Sequence, residues 1–129
     1  MFSRRSVIAL SLVAAAGFAA PAAAAEQPYT PEAFAAAQKA GKHILVAVHA
    51  SWCPVCKQQI PILDRLSTDA RFKDMTFLRV DFDAQKPIVQ GFGVQKQSTL
   101  IVFKGDKEVG RSTGETKADP IEALLAKGI

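Results

Sequence analysis

Residues 43–50, HILVAVHA, form an unbroken apolar run of strand length between His43 and His49. A strand with one wet face alternates apolar and polar side chains, whereas a run without alternation belongs to a strand covered on both faces. Such a strand needs helices above and below it, which restricts the chain to a layered α/β arrangement. The flanking segments agree. Thr30-Pro31-Glu32 is a helix start, with a capping hydroxyl, a proline at the first helical position and an acid in the first turn. PEAFAAAQKA follows, and Gly41 is a natural C-terminal stop.

After the apolar run a second helix is predicted to begin near Cys53 or Pro54, with Ile60, Leu63 and Leu66 on one face. MTFLRVDFD (75–83) reads as a second strand ending in acids. STLIVFK (98–104) and KEVGRST (107–113) flank Gly105-Asp106 as a hairpin. Asp119-Pro120-Ile121-Glu122 resembles a capping box opening a last helix. The order helix, strand, helix, strand, hairpin, helix predicts a four-stranded mixed sheet, ordered 75–82, 43–49, 98–104, 107–113, flanked by helices.

The first 25 residues do not fit this pattern. Arg4 and Arg5 make a charged start, Val7 to Phe18 is apolar, and Ala23-Ala24-Ala25 before Glu26 reads as a small-residue cleavage site. Residues 1–25 are therefore expected to be a cleaved signal peptide and residues 26–129 the folded domain, exported to the periplasm. The adjacent arginines resemble a twin-arginine signal, although a simple positively charged start would look the same. The 104-residue remainder carries 14 basic and 12 acidic side chains. With no basic run and no interleaving of basic and aromatic residues, it has no nucleic-acid footprint.

SWCPVCKQ (51–58) holds the only two cysteines, Cys53 and Cys56. A C-x-x-C pair is compatible with a structural staple, half of a metal site or a reversible redox centre. A domain of this size can bury a core without staples, and so short a loop constrains the unfolded chain only weakly. The predicted topology puts the pair at the C-terminal end of a central strand, on the first turn of the next helix, where α/β proteins place their chemistry. A helix N-terminus offers unpaired N–H groups and a partial positive charge, both of which favour a thiolate. Cys53 at the terminus is expected to be the solvent-facing thiol of lower pKa, and Cys56, one turn along the same face, the buried one. One sulfur can attack a substrate and the other can resolve the mixed disulfide.

Four stretches in order, Trp52-Cys53-Pro54-Val55-Cys56-Lys57, FLRVDFD, Phe92-Gly93-Val94 and STLIVFKGDKEVGRSTG, are similar to the thioredoxin family across nearly the whole mature chain. The resemblance implies a thioredoxin-like α/β fold and a thiol:disulfide oxidoreductase working through the Cys53–Cys56 disulfide, without a cofactor or bound metal. It makes Cys53 the nucleophile, Cys56 the resolving thiol and Trp52 a wall of the active site. Substrate docking falls to Trp52, Pro54, Val55, Gln97 and Ser98. The implied partners are protein thiols and disulfides, with a membrane-bound thiol donor to keep a reducing pair supplied in an oxidising compartment. The protein is expected to be a monomer.

Three departures from the family pattern shape these expectations. Ala47 stands where thioredoxins have a buried aspartate, six residues before the first cysteine. His49 is then the candidate for proton handling, and a strand-end histidine with no role is the plainer reading. Ser98 stands where the family has a cis-proline. A cis bond before serine costs ~2.5–4 kcal/mol, so a trans bond is expected, with the Ser98 hydroxyl reaching a cysteine sulfur. Restoring proline there is expected to restore the docking surface. Pro54-Val55 replaces Gly-Pro and supplies neither a charge nor a side-chain donor, which favours a reductase over an oxidase. The alternative reading from another class is a thioredoxin-fold protein that binds Cu(I), zinc or an iron–sulfur cluster through the same cysteines, with His49 or Ser98 as a further ligand.

Overall fold

The computed structural model describes Gly17 and residues 26–129. The expected signal peptide, residues 1–25, lies outside the described residues apart from Gly17. Five strands and four helices follow in order: β1 (Gln27–Pro28), α1 (Pro31–Lys39), β2 (His43–His49), α2 (Pro54–Ser67), β3 (Thr76–Asp81), α3 (Lys86–Gly91), β4 (Thr99–Lys104), β5 (Lys107–Thr113) and α4 (Ala118–Ala126). A single 3-10 turn, Ala70–Phe72, leads into β3.

The sheet has five strands, ordered β1-β3-β2-β4-β5, rather than the four expected. The added strand is two residues long and pairs in parallel with β3, Gln27 opposite Leu78. Two residues carry no period, so nothing in their sequence marks a strand. β2 and β3 are parallel and joined through α2, while β2–β4 and β4–β5 are antiparallel. The turn between β4 and β5 places Gly105 at φ 60°, a conformation open to glycine at no steric cost.

β2 is the centre of the sheet and is covered on both faces, as its composition requires. Ile44, Val46 and Val48 pack with Leu78, Val80, Ala37 and Val89 on the α1/α3 side. Leu45 and Ala47 pack with Leu63, Leu66, Phe77, Ile121 and Leu125 on the α2/α4 side. The first face is finished by four aromatic rings, Tyr29, Phe34, Phe92 and Phe103, with centroids 5.2–6.0 Å apart.

The helix signals hold with three exceptions. Thr30 Oγ1 accepts from the Ala33 N–H at 3.1 Å, so the first cap is as read. The buried strip of α2, however, is Cys56, Gln59, Leu63, Leu66 and Ser67, and Ile60 is only half-buried. Asp119 lies inside the first turn of α4 and does not cap it. The cap residue is Lys117, and Glu122, expected to close a capping box, pairs instead with Arg71. The third exception is α3, which escapes sequence reading because six residues are too few to show a helical period.

Candidate active site

Cys53 is the N-cap of α2, with extended backbone angles and Pro54 at the first helical position. Its N–H donates to the Ala50 carbonyl at 3.1 Å, which turns the chain sharply out of β2. Its Sγ accepts from the Cys56 N–H at 3.2 Å. The sulfur thus takes the place that a serine or aspartate oxygen usually fills at a helix start, facing an unpaired donor and the positive end of the helix. Both thiols are free.

Both are also buried, each 1% exposed, against Ala50, Val55 and Phe82. This corrects the expectation of a solvent-facing Cys53. The capping contact turns its sulfur back under the helix end, where Val55 and Phe82 cover it. The two thiols differ in environment rather than exposure. Burial, then the hydrogen bond with Cys53, push the Cys56 thiol up to about 11, against a smaller opposing effect of the Ala50 and Ser98 backbones.

Trp52 is 55% exposed, so it is a surface ring beside the thiols and not part of the core. Its indole N–H donates to Asp83 Oδ2 at 2.7 Å. Asp83 is itself set by a turn in which Asp81 Oδ1 accepts from the Asp83 and Ala84 N–H groups, both at 2.9 Å. Asp83 was legible only as one of the acids ending a strand; that it anchors the tryptophan is a long-range fact. Pro54 is exposed, while Val55 and Gln97 are half-buried, so these residues frame the approach to the sulfurs.

The loop before β4 brings Ser98 beneath the helix. The Gln97–Ser98 bond is trans, as expected, like every other described peptide bond. The expected contact between the Ser98 hydroxyl and a cysteine is absent, because the hydroxyl donates to the Gln97 carbonyl. Ser98 has φ 63°, the one non-glycine residue in the left-handed region among those described. Its backbone is held at both ends: the N–H donates to Val48 O at 2.8 Å, and the carbonyl accepts from Gly114 N–H and Gln59 Nε2, each at 3.1 Å. It therefore offers the thiols its backbone rather than its side chain.

Among the described residues, no hydrogen bond joins His49 to either cysteine. The histidine lines a cavity of about 810 Å³ with Glu26, Ile60, Asp64, Arg79 and Asp81. Its Nε2 is buried without a partner among the described residues. Arg79, which stands opposite Ala47 in the sheet register, pairs with Glu26 just before β1. Burial lowers the His49 pKa, Arg79 lowers it further, and Glu26 and Asp81 oppose the shift. The native imidazole therefore stays neutral where the unfolded one, titrating near 6.5, takes up a proton. Below that pH the unfolded chain binds the extra proton, so stability falls as pH drops through about 6.5. A H49Q variant is expected to lose less stability than the parent between pH 7.5 and 5.5 in urea titrations. Parallel losses would show that His49 contributes nothing to the pH dependence.

Residues 26–127 match the profile of the Thioredoxin family. The chain belongs to the thioredoxin family. It is 38% identical to a thioredoxin of Chlamydia muridarum over 84 residues, 65% of this chain and 80% of that one. Among solved structures it is similar to Trxlp of Edwardsiella tarda EIB202, with 42% identity and a TM-score of 0.76 over 78% of this chain and 98% of that one. It is also similar to the thioredoxin NaTrxh of Nicotiana alata, with 30% identity and a TM-score of 0.70 over 80% and 91%. Membership makes the protein a thiol:disulfide oxidoreductase that uses its C-x-x-C dithiol, without a cofactor, on protein disulfides. Among the described residues, no group of three or more His, Cys, Asp or Glu is placed to hold an ion.

Proposed function

We propose that this thioredoxin-family protein is an exported, periplasmic reductase of protein disulfides, with Cys53 as nucleophile and Cys56 as resolving thiol. The observation that carries the role assignment is the cap: Cys53 Sγ sits on the α2 N-terminus 3.2 Å from the Cys56 N–H, while the Cys56 thiol is held protonated well above neutral pH. Cys53 as thiolate attacks one sulfur of a substrate disulfide. The substrate S–S bond breaks, a mixed disulfide forms, and the departing sulfur takes a proton. Cys56 then gives up its proton and attacks Cys53 Sγ, closing the Cys53–Cys56 disulfide and releasing the second substrate thiol. Two electrons pass from the dithiol to the substrate.

The direction follows from how little stabilises the thiolate. Pro54 and Val55 add no donor, which leaves Cys53 one backbone N–H and the helix end. A dithiol whose reduced form is weakly stabilised gives up its electrons readily, the opposite of a strong oxidant. Trp52, Pro54, Val55 and Gln97 form the docking rim. Arg4, Arg5 and the apolar stretch after them support export, and in an oxidising compartment a membrane-bound thiol donor must recycle the pair. The domain acts as a monomer.

Equilibration of residues 26–129 with glutathione redox buffers tests the direction. A potential near the thioredoxin value of about −270 mV, together with insulin reduction in dithiothreitol, is the expected result. A potential near −120 mV would make the protein an oxidase. Fractionation of cells with alkylation of free thiols tests the location: the pair should be periplasmic, and oxidised when thiol donors are deleted.

A further inference from the structure

We propose that Gln59 is a positioning residue for disulfide exchange, holding the Ser98 backbone against the thiol pair in place of the geometry a proline would set. The proposal rests on the reading of Cys53 and Cys56 given above. α2 presents one buried strip, in which Cys56 is followed one turn later by Gln59 and then by Leu63 and Leu66. A primary amide 3% exposed in a strip of thiol and hydrocarbon is out of place unless its hydrogens are used. Both are used. Gln59 Nε2 donates to the Ser98 carbonyl at 3.1 Å and to the Glu115 carbonyl at 2.9 Å. Both partners are carbonyl oxygens, which can only accept, so the orientation of the amide is fixed by chemistry.

These two bonds tie together three parts of the chain far apart in sequence. Gln59 rides on the helix that carries both cysteines, Ser98 precedes β4, and Glu115 follows β5. Ser98 needs such a restraint, because a left-handed serine persists only where its surroundings over-determine it. Val48 O and Gly114 N–H fix the loop to the sheet, and the Gln59 amide fixes it to α2. The length of one glutamine side chain therefore helps to set how the Ser98 backbone meets the helix that carries the sulfurs. The Ser98 backbone also acts against the rise of the Cys56 thiol, so releasing it should make Cys56 harder to deprotonate. Attack by Cys53 needs only the helix cap, whereas resolution by Cys56 needs the clamp.

The test separates the two steps. A Q59M variant keeps the length and removes both donors. Attack on a small disulfide, hydroxyethyl disulfide, is expected to stay within about twofold of the parent. Resolution of the resulting mixed disulfide is expected to slow at least tenfold at pH 7, with its pH profile displaced upward. Two further variants control for stability. L63A weakens the same helix strip without touching Ser98 and should leave the resolution profile in place. Q59N keeps the amide but is one methylene short, so it should displace the profile in smaller measure and covers the case in which Q59M does not fold. The proposal is overturned if Q59M and Q59N resolve like the parent, or if L63A displaces the profile equally. A C56S protein distinguishes the two levels: if it resolves the mixed disulfide at the parental rate, the assignment of Cys56 fails, and the clamp with it.

Discussion

Replacing Cys53 with serine is expected to lower insulin reduction by about a thousandfold or more, because the hydroxyl at the α2 cap is no nucleophile at neutral pH. Replacing Cys56 has a different signature. C56S still attacks through Cys53 but cannot resolve, so it should accumulate covalent complexes with protein substrates that dithiothreitol dissolves. Trapped complexes with C53S and none with C56S would exchange the two roles. The wild-type pH profile carries the same assignment. With Cys56 held near 11, its thiolate fraction rises about tenfold per pH unit through the neutral range, so resolution should accelerate with pH. Stability runs the other way. The unfolded thiol titrates near 8.5, so above that pH the unfolded state sheds a proton that the native state keeps. The reduced protein should therefore lose stability from about pH 8.5 towards 11. The oxidised form lacks this thiol and should not share the loss.

Substituting proline for Ser98 is expected to destabilise the domain rather than rebuild a docking surface. Proline is held near φ −65°, whereas Ser98 sits at φ 63°. Proline also removes the N–H that Ser98 donates to Val48 O at 2.8 Å. The two effects together should cost about 3 kcal/mol or more, a fall in Tm of roughly 12–24 °C for a domain of this size. S98G is the opposite case. It accepts the left-handed backbone and keeps the N–H, so removal of roughly 1–2 kcal/mol of strain is offset by glycine's extra unfolded-state entropy of ~0.5–1 kcal/mol. S98G should match or slightly exceed the parent in thermal melts. An S98P protein as stable as the parent would mean that the loop can refold into the proline geometry, and that the observed conformation is not required.

Much of the fold was legible because its signals are local. An apolar run with no alternation determined the doubly covered β2. Thr30-Pro31 determined the start of α1, and Gly105-Asp106 the hairpin. The C-x-x-C pair could be placed on a helix start because strand, turn and Pro54 follow one another within a dozen residues. Each of these depends on neighbours in sequence, so the residue types alone suffice.

Other features depend on partners far along the chain. β1 is a strand because β3 lies beside it, and the half-buried Glu26 carboxylate pairs with Arg79 on that neighbour. On α2, helical spacing admits either Gln59 or Ile60 one turn after Cys56, and hydrophobicity alone favours the isoleucine. The structure chooses the glutamine, because two carbonyls 39 and 56 residues further on have to be satisfied. The same holds at Ser98, whose side chain offered a plausible bond to sulfur. Its backbone conformation, fixed by Val48, Gly114 and Gln59 together, turned the hydroxyl to its own chain and the peptide to the thiols. The sequence determined which atoms do the chemistry; packing across the sheet decided how far each is buried and which donors it meets.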